Sequence, residues 1–163
     1  MKRSPVPSLA ASARLPGGRP DWLPVGVIDT GAILALVDRD DTWHESCVEA
    51  YNHNRLPWLT TEAVLAEAFH LVRRNLRHDR PIWTLLQSGA IVMSVISNEE
   101  LTQIHALMAQ YADRPMDFAD ATLVHLAARE RLSLILTIDY DDFSTYRLPH
   151  RKKFTILPSR SKS

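Results

Sequence analysis

Five acidic residues, Asp29, Glu67, Asp117, Asp120 and Asp139, stand inside otherwise apolar segments of this chain. The segments read VGVIDTGAILALV, TTEAVLAEAFHLV, PMDFADATLVHLA and LSLILTIDYDDF, and none contains a Lys or Arg. A carboxylate buried without a partner is costly, so acids in such settings are neutralised by a cation, a proton or a hydrogen-bond network. Several acids converging without a matching basic side chain point to a divalent metal. Oxygen-only ligands suit Mg²⁺ or Mn²⁺, which combine a few carboxylates with substrate phosphates. An ion held this way can polarise a phosphodiester, orient and deprotonate water, and stabilise the departing alkoxide. Phosphodiester hydrolysis is the chemistry implied.

Each acid alone has a plainer explanation. Asp117 or Asp120 can cap the helix that the following apolar run predicts. Asp139 can be a turn residue in IDYDD, with Asp142 read as another. Glu62, in a first helical turn, reads as a surface acid facing the helix dipole. The argument for a site rests on the set, because independent turns and caps need not all fall at strand ends and polar helix starts.

The elements that would gather these acids alternate in type. Val25 to Asp29 reads as a short buried strand, and Gly31 to Asp38 as a helix. Asp41 or Thr42 is expected to cap a second helix reaching Asn52. Trp58 to Thr60 follows as a strand, and Thr61 caps a long amphipathic helix with Val64, Leu65, Ala68, Leu71 and Val72 at helical spacing. Asp79 and Pro81 open a short helix that Gly89 ends. Ala90 to Ile96 is strand-like, and Ser97 with Glu100 forms a capping box for a helix to Tyr111. Asp117 to Arg131 is helical, and Ser133 to Thr137 and Phe154 to Leu157 are strands. Such alternation predicts a three-layer α/β fold with a mainly parallel central sheet flanked by helices. Asp29 and Asp139 then fall just past the carboxyl ends of strands, where open α/β sheets bind ligands. Asp117 and Asp120, three residues apart, share one helix face.

Composition narrows the function. With 163 residues the chain is long enough for one domain with a real core. Residues 1–24, rich in Pro and Gly, read as a disordered leader, 25–158 as the folded domain and 159–163 as a basic tail. Basic and acidic residues both number 19, so there is no overall positive field for coating nucleic acid. The single cysteine, Cys47, excludes an intramolecular disulfide and a thiolate zinc cluster. No apolar run approaches the length of a membrane helix, and the amino terminus lacks a signal peptide, so a cytoplasmic protein is expected.

Competing chemistries fit less well. Asp29-Thr30-Gly31 is also the aspartic-protease signature, but here it runs into a helical AILALV and has no second copy. The histidines, among them His70, His78 and His125, lack a zinc-binding spacing. Neither phosphate-binding glycine motif is present. A metal-dependent phosphatase would need a second Asp two residues after the first, where Gly31 stands. A non-catalytic module binding RNA or protein on the same scaffold is the alternative from another class. For substrate contacts the candidates are Arg73, Arg74, Arg114, Arg147, Arg151, Lys152 and Lys153, each also explained as a solvated surface cation. Trp43, Trp58 and Trp83 read as core or interface anchors.

The motifs VIDTGAILALVDRDDTWHE, TTEAVLAEAF, RPMDFADATLVHLA and LILTIDYDDF resemble, in order and spacing, those of the PIN-domain ribonucleases, most closely toxins of the VapC type. The likeness runs from Val25 to Leu157. It implies that Asp29, Glu67, Asp120 and Asp139 are the metal-binding catalytic acids, with Asp117 assisting and Thr30 and Thr137 as hydroxyls near the metal. It further implies Mg²⁺ or Mn²⁺ dependence, cleavage of single-stranded RNA leaving a 5′-phosphate, a homodimer and a cognate antitoxin. The leader is a departure from that pattern.

Overall fold

The computed structural model describes residues 23–54, 57–75, 79–114 and 116–159. The leader assigned to 1–24, apart from Leu23 and Pro24, and the tail beyond Ser159 lie outside them, as does His78.

Five strands, β1 (Gly26–Ile28), β2 (Trp58–Thr60), β3 (Ile91–Met93), β4 (Leu134–Leu136) and β5 (Thr155–Leu157), form one sheet in the order β3-β2-β1-β4-β5. Every neighbouring pair is parallel, which requires a crossover between successive strands. Helices α1 (Thr30–Val37) and α2 (His44–His53) link β1 to β2, and α3 (Glu62–Asn75) and α4 (Arg80–Gln87) link β2 to β3. Helices α5 (Leu101–Gln110) and α6 (Phe118–Arg129) return the chain to β4, and α7 (Tyr140–Thr145) leads on to β5. The three-layer parallel architecture expected from the alternation is therefore the one adopted.

Burial explains the patterns. Val27 and Ile28 of β1 and Ile135 and Leu136 of β4 are wholly buried, as central parallel strands covered on both faces must be. Every residue of α6 from Ala121 to Ala127 is buried, which accounts for its apolar character on all sides. Thr61 accepts the Val64 N–H at 3.4 Å, as the predicted cap of α3. The Ser97 N–H donates to Glu100 at 2.8 Å, one half of the predicted box, although the first turn there is a 3₁₀ segment, Asn98–Glu100, leading into α5.

Several boundaries differ from the sequence reading. The strand expected over Ala90 to Ile96 pairs only at Ile91–Met93, because β2 ends at Thr60 and offers its last carbonyl to the Ser94 N–H. Helix α2 begins one or two residues later than expected, with Trp43 at its N-cap. Asp41 accepts the Trp43 N–H at 2.7 Å within a preceding turn rather than capping the helix itself. Asp142, read as a turn residue, lies inside α7, a helix that the sequence reading did not contain.

The connection leaving β1 goes to β2 on one side, whereas the connection leaving β4 goes to β5 on the other. The carboxyl ends of β1 and β4 thus flank the topological switch point of the sheet, where no crossover closes the edge. Asp29 and Asp139 follow those two strand ends.

The spacing of β1 against its neighbours leaves no room for a side chain at Gly26. A methyl group there would stand 2.5 Å from the Leu134 carbonyl oxygen and 2.9 Å from the Trp58 ring. A backbone atom cannot give way without moving β4. Gly26→Ala is expected to destabilise the fold by about 1–3 kcal/mol in urea denaturation, as over-packing of cores does. Wild-type stability would contradict this close approach.

Candidate active site

Four short elements deliver the acids to the switch point, and three of the acids occupy helix N-caps. Asp29 caps α1, its Oδ1 accepting the Thr30 N–H at 2.7 Å. Asp117 caps α6 and accepts the Asp120 N–H at 2.7 Å. Asp139 caps α7 and accepts the Asp142 N–H at 3.0 Å. Asp120 lies in the first turn of α6. The plain capping explanation and the site explanation are therefore both satisfied by the same residues. Helix amino ends also carry partial positive charge, which lowers the cost of gathering carboxylates there.

Hydroxyl groups tie the acids to one another. The Thr137 hydroxyl donates to Asp29 Oδ2 at 3.0 Å and accepts the Asp139 N–H at 3.0 Å, so one side chain joins the ends of β1 and β4. The Thr30 hydroxyl donates to Glu67 Oε2 at 2.9 Å, linking α1 to α3. The Tyr146 hydroxyl donates to Asp120 Oδ2 at 3.0 Å. Asp29 is buried, Asp120 is half-buried, and Glu67, Asp117 and Asp139 are exposed, so the cluster has a floor and an open rim.

Burial and crowding perturb the two innermost acids. Desolvation raises the Asp29 carboxyl to about 6, against the hydrogen bonds from Thr137 and Thr30, and the charges of Glu67 and Asp139 push the same way. Asp120 is raised further, to about 8, first by desolvation and then by the charges of Asp29 and Asp117. Asp120 feels Asp29 and Asp139 from other elements as well as Asp117 at the start of its own helix, a convergence that the sequence only suggested. Perturbation by burial together with like charges is a signature of functional sites. Among the described residues, no three acidic, His or Cys side chains are drawn into a tight ligand cage as they stand.

Comparison with known proteins agrees with this geometry. The PIN domain family matches residues 26–148. The chain belongs to the PIN-domain family. It is 31% identical over 134 residues to a protein named Ribonuclease VapC26 from Mycobacterium tuberculosis, covering 81% of this chain and 99% of that one. The crystal structure of Mycobacterium tuberculosis VapC20, described as a sarcin-ricin loop cleaving toxin, superposes with a TM-score of 0.65. It covers 71% of this chain and 91% of its own at 19% identity, a likeness of fold.

Within this PIN domain the basic residues are placed variously. Arg114 pairs with Asp142 at 2.9 Å and donates to Thr145 at 3.1 Å, beside the acid-bearing segments. The Arg147 guanidinium is occupied by the carbonyls of Ser144, Thr145 and Tyr146 at the end of α7. Arg151 and Lys152 lie on the turn that feeds the amino end of β5, whereas the acids lie beyond the carboxyl ends of strands. Arg73 and Arg74 are exposed on the last turn of α3. His125 is buried, its Nε2 in hydrogen-bond contact with Glu100 at 2.8 Å, and Arg129 forms an ion pair with the same oxygen at 2.7 Å, joining α6 to the start of α5. Of the tryptophans, Trp58 is fully buried, Trp43 packs on Tyr140, and Trp83 is 47% exposed beside Phe69.

Tyr146 is the site residue that sequence reasoning missed. It lies seven positions beyond Asp139, in a stretch without apolar periodicity, and only the packing of α7 brings it to Asp120.

The raised carboxyls set a pH dependence. Asp29 and Asp120 bind protons more tightly in the folded chain than at their ordinary value of 3.8, so the stability of metal-free protein falls as pH rises from 3.8 towards about 8. Glu100, held down to about 2 chiefly by the Ser97 N–H, contributes stability that is lost as pH falls from 4.5 towards 2, so it overlaps that window only at its acid edge. In EDTA-treated protein, Tm should decline across this range, and Asp120→Asn should flatten the decline and raise Tm at pH 8. A Tm independent of pH in the wild type would contradict the crowding.

Proposed function

We propose that this chain is a divalent-metal-dependent endoribonuclease that hydrolyses phosphodiester bonds of single-stranded RNA, the toxin of a type II toxin–antitoxin pair. The observation that carries the reading is the convergence of Asp29, Asp120, Asp139 and Glu67 on the switch point, with the Asp120 carboxyl driven up to about 8. Membership of the PIN-domain family and the relation to a protein named as a ribonuclease support it.

The donor set suits Mg²⁺ or Mn²⁺. All its atoms are carboxylate oxygens, and the mutual repulsion that raises Asp120 is what a small divalent cation would relieve. Asp29, Glu67, Asp120 and Asp139 would hold the ion, with Asp117 at the rim. When bound, the ion supplies Lewis-acid polarisation of the phosphodiester and offsets charge on the departing 3′ oxygen.

The protein's own groups prepare this chemistry. Thr30 and Thr137 keep both Asp29 oxygens aimed and prevent the carboxylate from rotating. The Thr30 hydroxyl holds Glu67 across from it. Asp120 carries a proton near neutral pH in metal-free protein and releases it as cation binds, so affinity should rise with pH. The exposed rim of Glu67, Asp117 and Asp139 leaves the site open to a polymer. Of the basic residues offered for RNA phosphates, Arg114 beside the acids is the first candidate and the exposed Arg73 and Arg74 follow, whereas Arg147 is occupied by carbonyls and Arg151 and Lys152 lie towards the other end of the sheet.

The same reading takes residues 25–158 as the nuclease domain, a homodimer as the working form, an antitoxin protein as the inhibitor of the site, and the cytoplasm as its compartment. Among the described residues no helix is long and apolar enough to cross a membrane.

The test is cleavage of a labelled single-stranded RNA pool by antitoxin-free protein with Mg²⁺, Mn²⁺ or EDTA. Asn at position 29 can still cap α1, so Asp29→Asn should remain folded yet cut no faster than the protein-free control. Asp120→Asn should behave likewise. Cutting by the wild type that survives EDTA, or wild-type cutting by both variants, would overturn the assignment. Absence of cutting by folded wild type would favour the non-catalytic binding module.

A further inference from the structure

Tyr146 is fully buried, and buried phenols need a hydrogen-bond partner. Its partner is Asp120 Oδ2, at 3.0 Å. The ring cannot swing away. Tyr111 meets it edge-on at 5.1 Å between centroids and Phe143 at 5.3 Å. Phe143 packs in turn edge-on against Phe154 at 5.7 Å, and neither carries a hydroxyl.

The position of Tyr146 on the chain matters as much as its contact. Asp139 is the N-cap of α7 and Tyr146 its C-cap, so one helix of six residues, about 9 Å long, carries one acid at its start and grips another from its end. The Arg114 guanidinium bonds Asp142 and Thr145 of that helix and thereby ties it to the segment leading to Asp117. Helix α7 therefore sets the relative placement of Asp139 and Asp120, which lie on different connections of the sheet.

We infer that Tyr146 is a positioning residue for the acid site, its hydroxyl fixing the Asp120 carboxylate in the pose in which it takes a divalent cation. The inference rests on the metal-site reading above. Losing a hydrogen bond that orients a ligand typically weakens metal binding by about 10–100-fold. Tyr146→Phe removes that bond and keeps the ring that fills the core.

The experiment titrates Mn²⁺ alone into metal-free full-length protein by calorimetry, with the electron paramagnetic resonance of free Mn²⁺ as a second count. Asp120→Asn should abolish binding. Tyr146→Phe should weaken it by about tenfold or more, with an unchanged circular dichroism spectrum. Tyr111→Phe should bind as the wild type does, because that hydroxyl accepts the Arg147 N–H at 2.9 Å and holds no acid. Binding by Tyr146→Phe within about twofold of wild type, alongside loss in Asp120→Asn, would overturn the inference and leave the metal site standing; twofold is well short of the typical effect. A wild type that binds no Mn²⁺ would overturn both.

Discussion

Like charges brought together in a partly buried place repel, and the organisation of this site answers that repulsion. Asp29 sits on the floor, Asp120 above it, and Asp139, Asp117 and Glu67 around the rim. Desolvation and mutual repulsion together lift the two inner carboxyls. What keeps such a cluster in one place is a set of donors that carry no charge. Thr30, Thr137 and Tyr146 each direct a hydroxyl at an acid, while helix amino ends supply N–H groups to Asp29, Asp117 and Asp139. Neutral donors orient carboxylates without forming ion pairs with them. A lysine or arginine in the same position would have formed an ion pair and occupied the site itself.

The sheet makes this arrangement possible. At the switch point between β1 and β4 the crossovers depart in opposite directions, so two strand ends face each other without an intervening connection. Thr137 at the end of β4 can then reach Asp29 at the end of β1, 108 positions earlier in the chain. The close approach of β1 to β4 at Gly26 is part of the same geometry.

Capping and catalysis are often weighed as rival explanations for an Asp before a helix. Under the proposed function they coincide in this chain. An N-cap places its carboxylate over the first turn with a fixed orientation and in the positive end of the helix dipole. Three helices that begin at one edge of a sheet therefore deliver three pre-oriented acids. The ion pair of Arg129 with Glu100 shows the contrasting case, in which opposite charges pair off and join helices.

Much of this was legible from sequence because it is local. Apolar runs between turn signals identified all five strands, and caps such as Thr61 mark helix starts through interactions spanning three or four residues. The acids stood out because each breaks an apolar segment that has no cation of its own, and the motif pattern connected them into a family. Local signals failed where partners decided the outcome. The strand expected over Ala90 to Ile96 is cut to three residues by the length of β2, which no property of those seven residues records. Helix α7 has no apolar periodicity of its own and forms because Asp139 caps it, Arg114 braces it and Phe143 and Tyr146 anchor it in the core. For the same reason Tyr146 could not be recognised as part of the site. Sequence determined which residues carry the charge and which elements bear them. Only tertiary structure decided how near the charges come and which hydroxyl holds each one, because both depend on distances between segments far apart in the chain.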